Sequence, residues 1–212
     1  MERNISLAKY LLVCALGFGL GGFLWGWLLY SELPDLEYPF HFMAIIIMGL
    51  FGGLSLVWFD KSVRNISKSV LAGLLGFSVG FVATPIVNYF FFMYGITLLS
   101  FLPFYFIETE ILNKFLNLSP NIYIGDMWTI FAFVGAVVGL FYSLFLKTKI
   151  WSLIWRGGIG FALGSLIGPV IGNLLGNTVN SLLVSYLTTF CLMGIILGLF
   201  LSWGVYKCKK LP

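Results

Sequence analysis

Six stretches of the chain, residues 10–30, 40–59, 69–94, 127–146, 150–175 and 182–206, are almost free of charged side chains, and each is long enough to cross a bilayer as a helix. A segment in lipid has no water to receive its backbone N–H and C=O groups, so it must be a helix or part of a closed barrel. Unbroken apolar runs favour helices. The expected fold is therefore an all-α integral membrane protein, a single polytopic domain over 1–212 with six transmembrane helices. Composition agrees, with 60% hydrophobic and 9% charged residues against roughly 25% charged in soluble domains. Such a chain cannot cover its surface with polar groups, so the lipid bilayer is its expected partner. An aromatic content of 18% and only three cysteines exclude disordered and disulfide-scaffold classes. The first apolar run begins close to Met1 but is too long for the core of a signal peptide, and it reads as a retained helix.

The few charges set the orientation. Arg3, Lys9, Lys61, Arg64, Lys68, Lys147, Lys149, Arg156, Lys207, Lys209 and Lys210 collect on one side of the spans, with Lys114 alone on the other. That other side holds Glu32, Asp35, Glu37, Glu108, Glu110 and Asp126. Basic connections stay cytoplasmic, so both termini are expected inside, in a plasma or prokaryotic inner membrane. The net charge of +4 is this asymmetry and not a nucleic-acid footprint. Indole prefers the headgroup layer, which suits Trp25, Trp27 and Trp128 at outer ends and Trp58, Trp151, Trp155 and Trp203 at inner ends. Cys14 and Cys191 within spans, and Cys208 in the inner tail, read as reduced structural thiols.

Glycine carries an internal pattern. The odd-numbered helices contain Gly17-Phe-Gly-Leu-Gly21, Gly76-Phe-Ser-Val-Gly80 and Gly160-Phe-Ala-Leu-Gly164. The even-numbered helices contain Gly49 and Gly53, Gly135 and Gly139, and Gly194 and Gly198, each pair four residues apart. Gly17 to Gly49 and Gly160 to Gly194 span similar lengths, while Gly76 to Gly135 is longer by about 25 residues, as an insertion in the middle copy of a repeated hairpin would make it. Each copy starts and ends inside, so the three hairpins would be parallel repeats about an axis along the membrane normal. Small residues at this spacing also let helix backbones approach closely in lipid, so all twelve glycines are expected at helix contacts. The insertion, about 97–126, places Phe104, Ile107, Ile111, Phe115 and Leu118 opposite Glu110, Asn113, Lys114 and Asn117, which suits an amphipathic helix on the outer leaflet.

Searches for catalytic patterns return negatives. His41 is the only histidine, no cysteine pair has metal-ligand spacing, and no phosphate-binding loop occurs. Gly76-Phe-Ser78-Val-Gly80 matches a hydrolase elbow in letters only, since it lies mid-helix. Neither an enzyme nor a metal or other cofactor is expected. The more suggestive residues lie in the outer half, where Thr84, Pro85 and Asn88 are echoed by Gly168, Pro169 and Asn173, and Asp126 and His41 stand at helix starts. Proline leaves a carbonyl without its donor, and these residues could line an outward-facing polar vestibule. The spans contain no Asp, Glu or Lys and only Arg156 near an inner end, which disfavours proton- or charge-coupled transport. Two functions fit: permeation or carriage of a small, largely uncharged solute, or a non-transporting subunit that binds partner helices, in a homo-oligomer or with another membrane subunit, through its glycine faces.

Overall fold

A computed structural model describes residues 6–31, 39–59, 62–90 and 124–209, with the side chains of 39–42, 44–45, 85, 87–90, 124–129 and 209 outside the described set. Six helices make up the described chain: α1 (Leu7–Ser31), α2 (Pro39–Leu56), α3 (Val63–Phe90), α4 (Ile124–Leu146), α5 (Ile150–Val179) and α6 (Leu182–Lys209). There is no strand among the described residues. The segments Leu7–Ser31, Val63–Thr84, Ile150–Val179 and Leu182–Cys208 are long and apolar enough to cross a membrane, and Ile46–Leu56 and Ile130–Leu146 are shorter apolar helices. The fold is thus compatible with a multi-pass membrane protein. Residues 97–123 of the expected outer insertion lie outside the described residues, and 124–126 already belong to α4.

Serine side chains and backbone turns explain where the helices begin and end. Ser6 caps α1, its Oγ accepting from the Lys9 N–H at 3.3 Å, and Ser181 caps α6, its Oγ accepting from the Val184 N–H at 3.4 Å. Ser62 precedes α3, and its carbonyl takes the N–H groups of Asn65 and Ile66 at 3.0 Å. The third helix therefore starts at Val63 instead of residue 69, which brings Arg64 and Lys68 into its first turns. Pro39 opens α2, where its missing N–H costs nothing. At the far end of α5, Asn180 adopts a left-handed conformation (φ 52°, ψ 41°), and the Ser181 N–H closes onto the Gly176 carbonyl at 2.9 Å. Asn177 and Thr178, beyond the expected limit of this span at residue 175, are consequently in the last turn of α5.

Each helix packs against its neighbours in sequence, and α6 returns along α1, so the six helices close into a ring. Glycines set how closely they approach. Within the hairpins, a Cβ added at Gly21, Gly80 or Gly164 would stand 3.0, 3.2 or 2.9 Å from the Cα of Met48, Val134 or Met193. One turn away, Gly17, Gly76 and Gly160 press on the Cβ atoms of Ser55, Phe141 and Phe200. Between hairpins, Gly49 and Gly53 lie on Gly73 and Ser69, while Gly135 and Gly139 lie on Gly157 and Leu153. The closing junction differs, because Gly194 and Gly198 lie on Phe18 and Cys14. Gly73 and Gly157 stand three residues before Gly76 and Gly160, whereas Phe18 follows Gly17, so α6 meets α1 about one helical turn out of step with the other two junctions. The longest small-residue track is on α5, where Gly160, Gly164, Gly168, Gly172 and Gly176 all face α6.

Candidate functional site

Aromatic side chains from several helices are buried together inside the ring. Phe18, Phe77 and Phe161, the phenylalanines that follow Gly17, Gly76 and Gly160, are fully buried together with Tyr142. Their rings meet edge to face, Phe18 with Tyr142 at 6.4 Å and Phe77 with Phe161 at 6.0 Å between centroids. Above them, Trp25 of α1 packs on Phe81 of α3, Phe131 of α4 and Phe190 of α6 at 5.3, 6.2 and 4.8 Å. Phe131 continues the contact to Phe161 of α5 at 4.9 Å. Five helices are therefore tied through one aromatic cluster. Trp25 was expected in the outer headgroup layer, but it sits on the same face of α1 as Phe18 and Gly21 and turns inward, leaving it 5% exposed. Trp58, Trp151, Trp155 and Trp203 are exposed.

Polar groups punctuate this interior. Ser55, Ser143, Ser165 and Ser202 are buried and each donates its hydroxyl to a carbonyl of its own helix, three residues back. Ser185 instead donates across to Asn173 Oδ1 on α5 at 2.9 Å. Ser69 Oγ, Tyr142 OH, Trp25 Nε1 and Asn173 Nδ2 are buried without a hydrogen-bond partner. Tyr142 OH points at the α2–α3 junction, where a Cβ on Gly73 would lie 2.6 Å from it. These four atoms belong to α1, α3, α4 and α5, and a fifth, Thr148 Oγ1, lies in the connection between α4 and α5.

The residues singled out from sequence fare unequally. Asn173 joins Ser185, as just described, and Pro169 is half-buried inside α5, where it offers no N–H to the Ser165 carbonyl. Thr84 Oγ1 spends its proton on the Gly80 carbonyl of its own helix at 2.9 Å. His41, Pro85, Asn88 and Asp126 lie on α2, α3 and α4, with their side chains outside the described residues. The unpaired Trp25, Ser69 and Tyr142 were missed. Helix periodicity contains the signal, because Ser69, Gly73, Gly76 and Gly80 share one face, as do Cys14, Phe18, Gly21 and Trp25. The described residues contain no group of three His, Cys, Asp or Glu side chains able to hold a metal ion; Cys14 donates its thiol to the Ser55 carbonyl at 3.4 Å, and no disulfide joins Cys14, Cys191 or Cys208 among the described residues. No protein-family model matches the chain, and no curated protein or solved structure matches it either.

Proposed function

We propose that the protein is a six-span membrane carrier for a small, uncharged solute bearing hydrogen-bond acceptors, and that the aromatic centre of the ring is its occluded pathway. The observation that carries this reading is the set of four unpaired polar atoms, on Trp25, Ser69, Tyr142 and Asn173. An orphaned buried donor costs about 1–3 kcal/mol, and a ring with a purely structural role would do better with Phe, Ala or Leu at these positions. The Trp25 indole and Asn173 amide N–H groups, buried without an acceptor, are donors that a solute carbonyl or hydroxyl would satisfy when the ring opens. Among the described residues no acidic or basic side chain is buried, which supports a neutral solute.

The wider arrangement is proposed on the same footing. All six helices span, with α2 and α4 completed by the turns flanking their apolar stretches. Both termini face the cytoplasm in a plasma or prokaryotic inner membrane, and the three hairpins are copies of one unit. Supporting the repeat are the matched hairpin contacts at Gly21, Gly80 and Gly164 and the shared burial of Phe18, Phe77 and Phe161. The rival reading, a subunit that binds partner helices through glycine faces, loses ground because the described glycines already meet other helices of the same chain. Uptake of a panel of small neutral solutes into proteoliposomes of the purified protein tests the carrier. Saturable uptake of one of them supports it, and no uptake across the panel, with a second membrane protein co-purifying stoichiometrically, overturns it.

A further inference from the structure

Arg156 is the one charged residue inside the apolar run of its helix, and the carrier reading gives it no task. It is half-buried on α5, and its side chain lies across α6. A Cβ added at Gly204 would stand 3.1 Å from Arg156 Cδ and 3.4 Å from Nη1, so the glycine is what makes room for the guanidinium. The guanidinium then sits 5.2 Å from the centroid of the Trp203 ring, and Lys207 Nζ sits 4.7 Å from the same ring. Two cations that are far apart in sequence therefore converge on one indole, where cation–π attraction offsets part of their mutual repulsion. Nη1 also bonds to the Ser152 carbonyl at 3.3 Å and to Ser152 Oγ. The described contacts include no carboxylate at this pair.

The surroundings match a lipid molecule. From Arg156 toward the middle of the helix, the same side of α5 exposes Ile159, Leu163 and Ile167, and α6 exposes Leu199 beside them. Trp155 and Trp203, both exposed, flank the cation pair. A phosphate at Arg156 and Lys207 would have its acyl chains lying along this apolar track, with the indoles at headgroup depth.

We propose that the inner ends of α5 and α6 form a binding site for an anionic phospholipid, its phosphate held between Arg156 and Lys207 and its acyl chains on the track above. Guanidinium and ammonium donors make charge-assisted bonds to phosphate oxygens, and the positive pair selects an anionic headgroup over a zwitterionic one. The site rests on the membrane placement of α5 and α6, which alkaline carbonate extraction of native membranes reads separately. Loss of the protein from carbonate-washed membranes would remove that placement, whatever the lipid result.

The test uses the full chain, delipidated in detergent and incubated with phosphatidylglycerol or phosphatidylcholine, with bound lipid counted by native mass spectrometry. Phosphatidylglycerol retention is expected to exceed that of phosphatidylcholine and to fall about tenfold in the R156Q/K207Q double variant. R156K, which keeps the charge, should retain most of the binding. K68Q removes one charge from the same rim, at α3, and should leave the retention unchanged. Equal binding of both lipids, equal loss in K68Q, or full retention in a folded double variant overturns the proposal. So does protection by inorganic phosphate alone that matches phosphatidylglycerol, since the ligand would then be a free anion.

Discussion

The α4–α5 junction allows close packing to be measured with two substitutions of the same kind. A Cβ on Gly135 would fall inside contact distance of the Gly157 carbonyl, which is rigid helix backbone with no rotamer to yield. A Cβ on Gly158, on the other side of that junction, would stand 3.2 Å from the Ala132 carbonyl and 3.6 Å from Ala136 Cβ. Both Gly→Ala changes gain the same intrinsic helix propensity, about 1 kcal/mol. Gly158→Ala asks its neighbour to give by a few tenths of an ångström, whereas Gly135→Ala must push two helices apart, and overpacking of this sort costs about 1–3 kcal/mol. Gly158→Ala should therefore be neutral or stabilising, and Gly135→Ala should fall below it by about 2 kcal/mol, which is about a thirtyfold change in the folded-to-unfolded ratio. Reversible unfolding in mixed micelles, followed by tryptophan fluorescence, supplies both values. Equal stability of the two variants would refute the claim that backbone contact at Gly135 holds this junction.

Three further outcomes follow from the ring and its interior. Tyr142→Phe removes an unpaired buried hydroxyl and should raise stability by about 1 kcal/mol while lowering solute uptake; an unchanged uptake rate would make Tyr142 a packing residue only. The Ser185–Asn173 bond of 2.9 Å should show a coupling of about 0.6 kcal/mol in a Ser185→Ala, Asn173→Ala double-mutant cycle, and a coupling of zero would mean that the two groups do not support each other. Closure of the ring between its first and last helices brings Tyr30 and Tyr186 to 6.4 Å between ring centroids. In a chain whose native cysteines are replaced by alanine, the pair Tyr30→Cys and Tyr186→Cys should be bridged by a short bis-maleimide, whereas absence of the bridge in folded protein would count against α1–α6 contact.

Helix number and approximate limits were legible because a span in lipid has one dominant requirement, a run of apolar residues long enough to cross, and this is written locally. The discrepancies arise from local polar chemistry that hydropathy does not register. The Ser62 carbonyl extends α3 toward Arg64, and the left-handed Asn180 lets α5 run on through Asn177 and Thr178. The polar residues gathered by outer position, Thr84 and Asn173 among them, turned out to have separate partners, since position along a helix says nothing of azimuth. Trp25 illustrates the same point, because an indole near a helix end suits either the headgroup layer or a core, and only its neighbours decide.

By itself, then, the sequence determined a lipid-compatible helical chain, its charge asymmetry and the glycine spacing that permits helices to touch. Tertiary structure decided which helices touch. It closed α6 onto α1 a turn out of step with the other junctions, buried Phe18, Phe77, Phe161 and Trp25 inside the ring, and left polar atoms of Trp25, Ser69, Tyr142 and Asn173 buried without partners. It also carried Arg156 across Gly204 to Trp203 and Lys207. Composition and periodicity act within one helix, whereas register, azimuth and the meeting of distant side chains depend on how backbones pack, and that is settled only when all six helices are in place.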